Sequence, residues 1–354
     1  MKLDKGVGAA LGAALLFGLG TPLAKPLLGQ VSPWLLAALL YLGSGLGLWL
    51  IRRLRREPAG ASKLAPGDAK WLAGAILAGG VLGPVLLMLG LSGMSATGAS
   101  LLLNAEGVLT ALVAWFVFKE NFDRRIALGM LAIAAGSLLL TLPTSPRSDE
   151  ISLGGWPALA VIGACLAWAV DNNLTRKVAL ADAGFIAMVK GLVAGSTNLV
   201  LALGLGASWP GFGLALGAGL LGFASYGASL VLFVIGLRHL GAARTGAYFS
   251  IAPFVGAVVA IGLLGESVNW TVVGAGGLMA LGVWLHLTEH HEHEHRHEAM
   301  EHEHEHVHGE ADPHHEHSHP EAVPTGTHHT HWHRHEALSH RHRHYPDAHH
   351  SHEH

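Results

Sequence analysis

Gly163-Ala164-Cys165-Leu166-Ala167-Trp168, running into Asp171-Asn172-Asn173 and Arg176, repeats in kind the stretch Gly12-Ala13-Ala14-Leu15-Leu16-Phe17, which runs into a polar-tolerant segment ending at Lys25. Each is an apolar run of small residues closed by an aromatic ring, and each ends on a base. A second pair of matches lies further along each half. Ala96-Thr97-Gly98-Ala99 and Arg244-Thr245-Gly246-Ala247 both open a hydrophobic segment that ends in a glutamate, Glu120 and Glu266, just before a short connection. The chain therefore reads as a duplication.

What is duplicated follows from length. A hydrocarbon core of roughly 30 Å takes about 20 mostly apolar helical residues to cross. Such windows occur ten times, at about 6–27, 33–51, 70–90, 95–118, 123–142, 154–176, 184–205, 211–236, 242–264 and 269–287. Each half thus carries five spans. Because five is odd, the second repeat must run through the membrane with the opposite topology, and solute sites in such inverted repeats lie near the midplane where the halves meet. The 47 glycines permit close helix–helix approach. The reading is an all-α membrane protein of ten transmembrane helices in two inverted five-helix repeats. It divides into a first repeat at 1–142, a linker at 143–153, a second repeat at 154–288 and a disordered tail at 289–354.

Composition separates the tail from the rest. The chain is 51% hydrophobic and 13% charged, too apolar for an ordinary soluble domain. Residues 1–288 hold 18 Lys and Arg against 11 acids, a formal +7; the tail holds 4 Arg against 14 acids, a formal −10, and 25 of the 27 histidines. The bases also orient the spans. With a cytoplasmic N-terminus, fifteen of them, from Lys2 to Arg244, fall on the inner side and Arg147 alone on the outer side, the asymmetry expected of a protein with both termini inside. The N-terminal segment runs past the length of a cleavable signal and is read as a retained first helix. The expected location is a bacterial inner membrane, crossed many times.

The duplicated five-helix unit, with Ala252-Pro253-Phe254-Val255-Gly256 closing on Gly265-Glu266, resembles the EamA-type transporters of the drug/metabolite transporter superfamily over about residues 6–287. That resemblance implies a ten-helix inner-membrane carrier, often an exporter of small metabolites. It says nothing of the substrate. Glu106 stands where the second half has Pro253, which puts an acid at mid-membrane, and the tail lies outside the family pattern.

Charges within the bilayer cost about 2.5–3.5 kcal/mol each on insertion scales, so each calls for a reason. Glu106 lies near the middle of the fourth span, two residues after Asn104, with no base at matching depth. A lone acid in a low-dielectric cavity can exchange a proton or meet a cation, with Asn104 as a neutral oxygen ligand; the plainer reading is a protonated acid bonded to a neighbouring helix. Asp171, beside Asn172 and Asn173 in the sixth span, and Lys190, in the seventh, come to similar depth at 1.5 Å per residue, so an ion pair, a gate or a substrate contact in the cavity is expected. Lys25 either snorkels to the headgroups or faces the cavity. Phe17, Trp168, Tyr226, Tyr248 and Phe249 are candidate cavity linings or simple packing. Cys165 reads as a small buried residue, and Glu120 and Glu266, at the inner and outer helix ends, as surface or structural residues.

Alternating imidazole and carboxylate, as in His290, His291, His293, His295 and His297 and again in His302, His304, His306 and His308, then His314, His315, His317 and His319, suit zinc, nickel or cobalt. The spans hold no comparable cage: Glu106, Asn104, Asp171, Cys165, Met88, Met94 and Met188 are scattered, and His239 and His286 sit at span ends. Two readings therefore compete. One is a secondary carrier of a small solute with a metal-binding cytoplasmic tail; the other is a transition-metal transporter. No P-loop, dinucleotide fingerprint or nucleophile motif points to an enzyme. No cofactor is required, and a divalent metal on the tail is the one candidate ion. Partners are the lipid bilayer, a small solute or ion, and in one option a second copy of the chain; nothing points to nucleic acid.

Overall fold

The computed structural model describes residues 5–55, 67–118, 124–141, 155–176, 178, 182–288 and, in the tail, 292–297, 300–307, 328–335 and 338–343. The linker at 143–153 and Glu120 lie outside these residues. Two units are separable, Met1–Glu289 and His290–His354.

The first unit is helical. Among the described residues, seven helical stretches are long and apolar enough to cross a membrane, and three shorter apolar helices, Ala127–Leu140, Ala252–Leu264 and Trp270–Leu285, bring the number to ten. In chain order the helices are α1 (Lys5–Ala24), continued by a 3-10 turn to Gly29, α2 (Pro33–Leu54), α3 (Ala69–Ala75), α4 (Gly83–Gly93), α5 (Ala96–Leu102), α6 (Ala105–Phe118) and α7 (Arg124–Thr141). The second half has α8 (Trp156–Arg176), α9 (Ala183–Gly204), α10 (Phe212–Gly222), α11 (Ser229–Phe249), α12 (Ala252–Leu264) and α13 (Trp270–Leu287). A π-helical segment, Ile76–Leu82, joins α3 to α4, and another, Phe223–Ala228, joins α10 to α11.

Local chemistry sets these limits. Ser32 caps α2 by accepting from Leu35 N, Asp182 caps α9 by accepting from Phe185 N, and Pro33 takes the first helical position of α2, where its missing N–H costs nothing. Gly265, with φ +66, ends α12 in the left-handed conformation. Two boundaries differ from the sequence reading. Helical backbone runs on through 237–241, where a connection between the eighth and ninth spans is expected, and the fourth span is broken at Leu103–Asn104.

The packing carries the duplication in three dimensions. Helix α2 packs on α9, and α7 on α13; α1 packs on α11 and α12, while α8 packs on α4, α6 and the first π segment. Exchanging each span for its counterpart in the other half returns the same set of pairs. The crossings repeat at atomic level. A Cβ on Gly45 would lie 2.5 Å from Leu192 N, and one on Gly195 2.6 Å from Leu42 N; both pairs are related by an offset of 150 residues. At the α7–α13 crossing Gly136 meets Ala275 and Met279, while Gly282 meets Gly129 and Ile133, an offset of 146. With five spans per half, such a two-fold must lie in the membrane plane. The face on which α1 begins is called here the N-terminal face, and the opposite one the far face.

The second unit contains two antiparallel ribbons, Glu292–His297 with Leu338–Arg343 and Met300–Val307 with His328–His335. Isolated two-stranded ribbons are marginal in water. With so few apolar residues in these strands, backbone pairing has little core to support it.

The crossing geometry gives a stability test. Gly45→Ala and Gly195→Ala should each lower the unfolding free energy by about 1–3 kcal/mol, by similar amounts, because each methyl meets a backbone that cannot withdraw. Gly8→Ala, with nothing within 4 Å, should be neutral. Thermal melts of detergent-solubilised protein decide it: unequal costs at the two crossing glycines would contradict the symmetric crossing.

Candidate functional site

The fourth span is interrupted about halfway. After α5 the chain makes tight turns, Leu103 N donating to Ser100 O at 3.2 Å and Asn104 N to Leu101 O at 3.0 Å, before α6 restarts at Ala105. The ninth span breaks in the corresponding place, at Ser250–Ile251 between α11 and α12, ahead of Pro253. Broken spans at matching positions of two inverted halves are the usual frame of a midplane solute site, because half-helix ends present backbone groups there. Glu106 lies in the first turn of α6, where the positive end of the helix dipole favours an acid. It is about 15 Å in from the far face at 1.5 Å per residue.

Helix α8 supplies the partners. Asn172 Nδ2 donates to Glu106 Oε1 at 2.9 Å and lies 3.4 Å from Thr110 Oγ1. Asn173 Nδ2 donates to Ala169 O at 2.9 Å and Thr110 O at 3.2 Å, and Cys165 Sγ lies 3.6 Å from Leu102 O. The lipid side of α8 is marked by the exposed Leu159 and Leu166. At 100° per residue Asn172 lies about 220–240° round from them, on the face of the buried Trp168. Asn172 is itself exposed, so it opens onto space inside the bundle. Asn104 is buried, donating to Leu101 O at 3.0 Å and touching Met279 Sδ at 3.8 Å.

Asp171 points to another neighbour. Lys190 Nζ lies 2.6 Å from both of its oxygens, and Thr175 Oγ1 donates to Oδ1 at 2.8 Å. The two charged side chains are 8% and 12% exposed, so this is the expected ion pair in a largely dry setting. The carboxylate sits against Gly79 of the first π segment, in the place a Cβ would need. A π segment releases backbone carbonyls from the helical ladder, and in hydrocarbon these need new donors. Tyr41 Oη donates to Gly79 O at 2.8 Å, Trp168 Nε1 to the same oxygen at 2.9 Å, and Asn198 Nδ2 to Gly80 O at 3.1 Å.

The aromatic residues gather on the two-fold. Phe17 and Trp168, counterparts in the repeat, meet edge to face with ring centroids 6.4 Å apart. Tyr226 lies 5.9 Å and Phe249 5.2 Å from Phe17, and Tyr41 stacks on Tyr226 at 5.3 Å. Phe249, adjacent to the half-buried Tyr248, is the residue of that pair that joins the cluster.

Of the residues singled out from sequence, Glu106, Asn172, Asn173 and Trp168 come together, with Asn104 at the break and Asp171 and Lys190 paired alongside. Lys25 is elsewhere. It lines a pocket of about 460 Å³ at the far face with Pro26, Leu28, Gly29, Ser92, Leu264 and Glu266, and its Nζ donates to Leu91 O and Met94 O. Tyr41, Asn198 and Thr110 were missed. A tyrosine in the run Leu39-Leu40-Tyr41-Leu42 and an amide inside the seventh span are the signals that could have found two of them. Histidines 290, 291, 308, 314, 315, 317 and 319 lie outside the described residues, and for 293, 295, 297, 302, 304 and 306 only the backbone is described. Among the described residues, no three of His, Cys, Asp and Glu gather as a metal would require.

Ten apolar helices in two exchanged halves, with polar side chains gathered at the breaks near the midplane, define a multi-pass membrane protein of transporter type. The chain belongs to the EamA-like transporter family, which matches residues 4–142 and 155–288, one match for each repeat, and so to the drug/metabolite transporter superfamily. It is 27% identical over 286 residues to an uncharacterized transporter of Methanothermobacter thermautotrophicus, covering 77% of this chain and 83% of that protein. It is 24% identical over 281 residues to the uncharacterized transporter YyaM of Bacillus subtilis, covering 77% and 90%. A protein of known crystal structure shares the fold at TM-score 0.60 and 19% identity, over 80% of this chain and 95% of that one.

The buried ion pair makes its own prediction. Lys190→Met leaves Asp171 charged and unpaired and should cost about 3–5 kcal/mol, whereas Lys190→Met combined with Asp171→Asn should recover most of it. Melting curves of the purified single and double variants test this; a double variant no better than Lys190→Met would rule the pairing out as the source of the loss.

Proposed function

We propose that the protein is a secondary carrier of a small solute, working by alternating access, with export the favoured direction and Glu106 as its coupling group. One observation carries this reading: a carboxylate at mid-membrane, at the head of a half-helix, whose hydrogen-bond donor Asn172 opens onto interior space. Asp171 is compensated by Lys190, so Glu106 is left to meet a proton or the cationic part of a solute. The aromatic cluster around Phe17 and Trp168 offers flat apolar faces beside it. The excess of bases on the N-terminal face supports placing that face, with both termini, in the cytoplasm of a prokaryotic cell. The His-rich tail would then be a cytoplasmic binder of zinc, nickel or cobalt, and a homodimer remains an option of assembly.

A transition-metal carrier is the second reading, favoured only by the tail. Its spans supply carboxamides and carboxylates but no imidazole beside Glu106, a poor donor set for these ions.

Glu106→Gln keeps the bond from Asn172 and removes the exchangeable charge. In cells lacking their own copy, it should abolish pH-gradient-driven export or make it independent of pH between about 5.5 and 8, with membrane abundance unchanged. Export that keeps its wild-type pH profile would refute the role. For the tail, full-length protein should bind several nickel or zinc ions at pH 7.5 and lose most of them below about pH 6.5, as imidazole protonates. Protein truncated after residue 288 should bind few at either pH; calorimetry on the two proteins compares them.

A further inference from the structure

We propose that Lys25 and Glu266 are the gating residues of the far face, holding the turn between the third and fourth spans closed across the exit from the central cavity. This rests on the carrier reading above. Neither residue reaches Glu106. Both act on backbone.

Between Gly93 and Ala96 the chain reverses direction, and the ends of α4 and α5 leave carbonyls and N–H groups without helical partners. Ser95 takes one, accepting from Gly98 N at 3.1 Å. Four more are taken by charges from other spans. Lys25, just past the end of α1, donates to Leu91 O at 2.6 Å and to Met94 O at 2.7 Å. Glu266, just past the end of α12, accepts from Ala96 N at 2.7 Å through Oε1 and from Thr97 N at 2.8 Å through Oε2. The left-handed Gly265 turns the chain sharply just before this carboxylate.

The clasp thereby ties the first and ninth spans to the turn joining the third and fourth, and these spans carry the central features: Phe17, Phe249, the first π segment and Glu106. Only the seven residues of α5 separate the clasp from the break at Leu103–Asn104. A rigid helix that short passes any movement of the turn directly to the residues before Glu106. Among the described residues, the ion pairs Arg52 with Asp182 and Lys190 with Asp171 link spans two, six and seven toward the N-terminal face and do not involve α5. The bonding also suits a part that opens. Charge-assisted bonds to backbone at a membrane surface can be exchanged for bonds to water when the turn moves. The pocket between Lys25 and Glu266 already brings open volume to this point.

The test reads access, and needs no known solute. Full-length protein carrying Cys165→Ala and Asn172→Cys is reacted with a membrane-impermeant maleimide in sealed vesicles of both orientations. Lys25→Met and Glu266→Gln should each raise labelling of residue 172 from the far face about tenfold or more, and Lys25→Arg, which keeps the donors, less than about twofold. A cysteine replacing Ala218, fully buried in α10 and making no bond to Lys25 or Glu266, reports general loosening and should stay unreactive in the same variants. Far-face labelling that does not rise, or that rises equally at residues 172 and 218, overturns the gate and leaves two helix caps. Because Glu106 takes no part in the labelling, failure of its coupling role would leave this result intact.

Discussion

A hydrocarbon core offers no water to a backbone, so every N–H and C=O that leaves a helical ladder must find its partner inside the protein. The polar side chains of this bundle are placed where that demand arises. Tyr41 and Trp168 answer for Gly79, Asn198 for Gly80, Lys25 for the end of α4 and Glu266 for the start of α5. Irregular backbone is affordable only at such points. The interruptions and π segments therefore fix where the intramembrane tyrosine, tryptophan and asparagine stand.

The scaffold is symmetric and the site is not. Gly45 with Leu192 mirrors Gly195 with Leu42, and Phe17 faces its own counterpart Trp168. At the same offsets, however, Asp171 corresponds to Gly20 and Lys190 to Leu40. Asp171 presses on Gly79 in one half; in the other, Gly20 meets Ser225, whose buried hydroxyl has no partner among the described residues. The asymmetry puts the Asp171–Lys190 pair in one half where the other has only uncharged Gly20 and Leu40.

Charge placement separates three roles. Asp171 and Lys190 neutralise each other within the bundle, and Arg52 pairs with Asp182 toward the N-terminal face. Lys25 and Glu266 are absorbed by helix ends. Glu106 differs from these charges in that its hydrogen-bond donor is a neutral amide, Asn172, and not a base. A carboxyl without a fixed counter-charge is what the proposed coupling role asks for.

The sequence by itself determined the number of spans, their duplication, the opposite topology forced by five spans per half, and the list of intramembrane charges, because hydrophobic length and period are local properties of the chain. It also put Asp171 and Lys190 at one depth, since rise per residue is constant along a helix. It did not reveal that the fourth span breaks at Leu103–Asn104, that Tyr41 and Asn198 serve the π segment, or that Lys25 turns to Leu91 and Met94 instead of to Glu106. Those facts depend on which carbonyls are left unpaired once the helices have packed, and unpaired carbonyls have no signature in residue order. Glu266, read as a surface or structural glutamate, has its partners 170 residues away at Ala96 and 169 away at Thr97. Only the tertiary fold, by laying the end of the ninth span on the start of the fourth, could decide that.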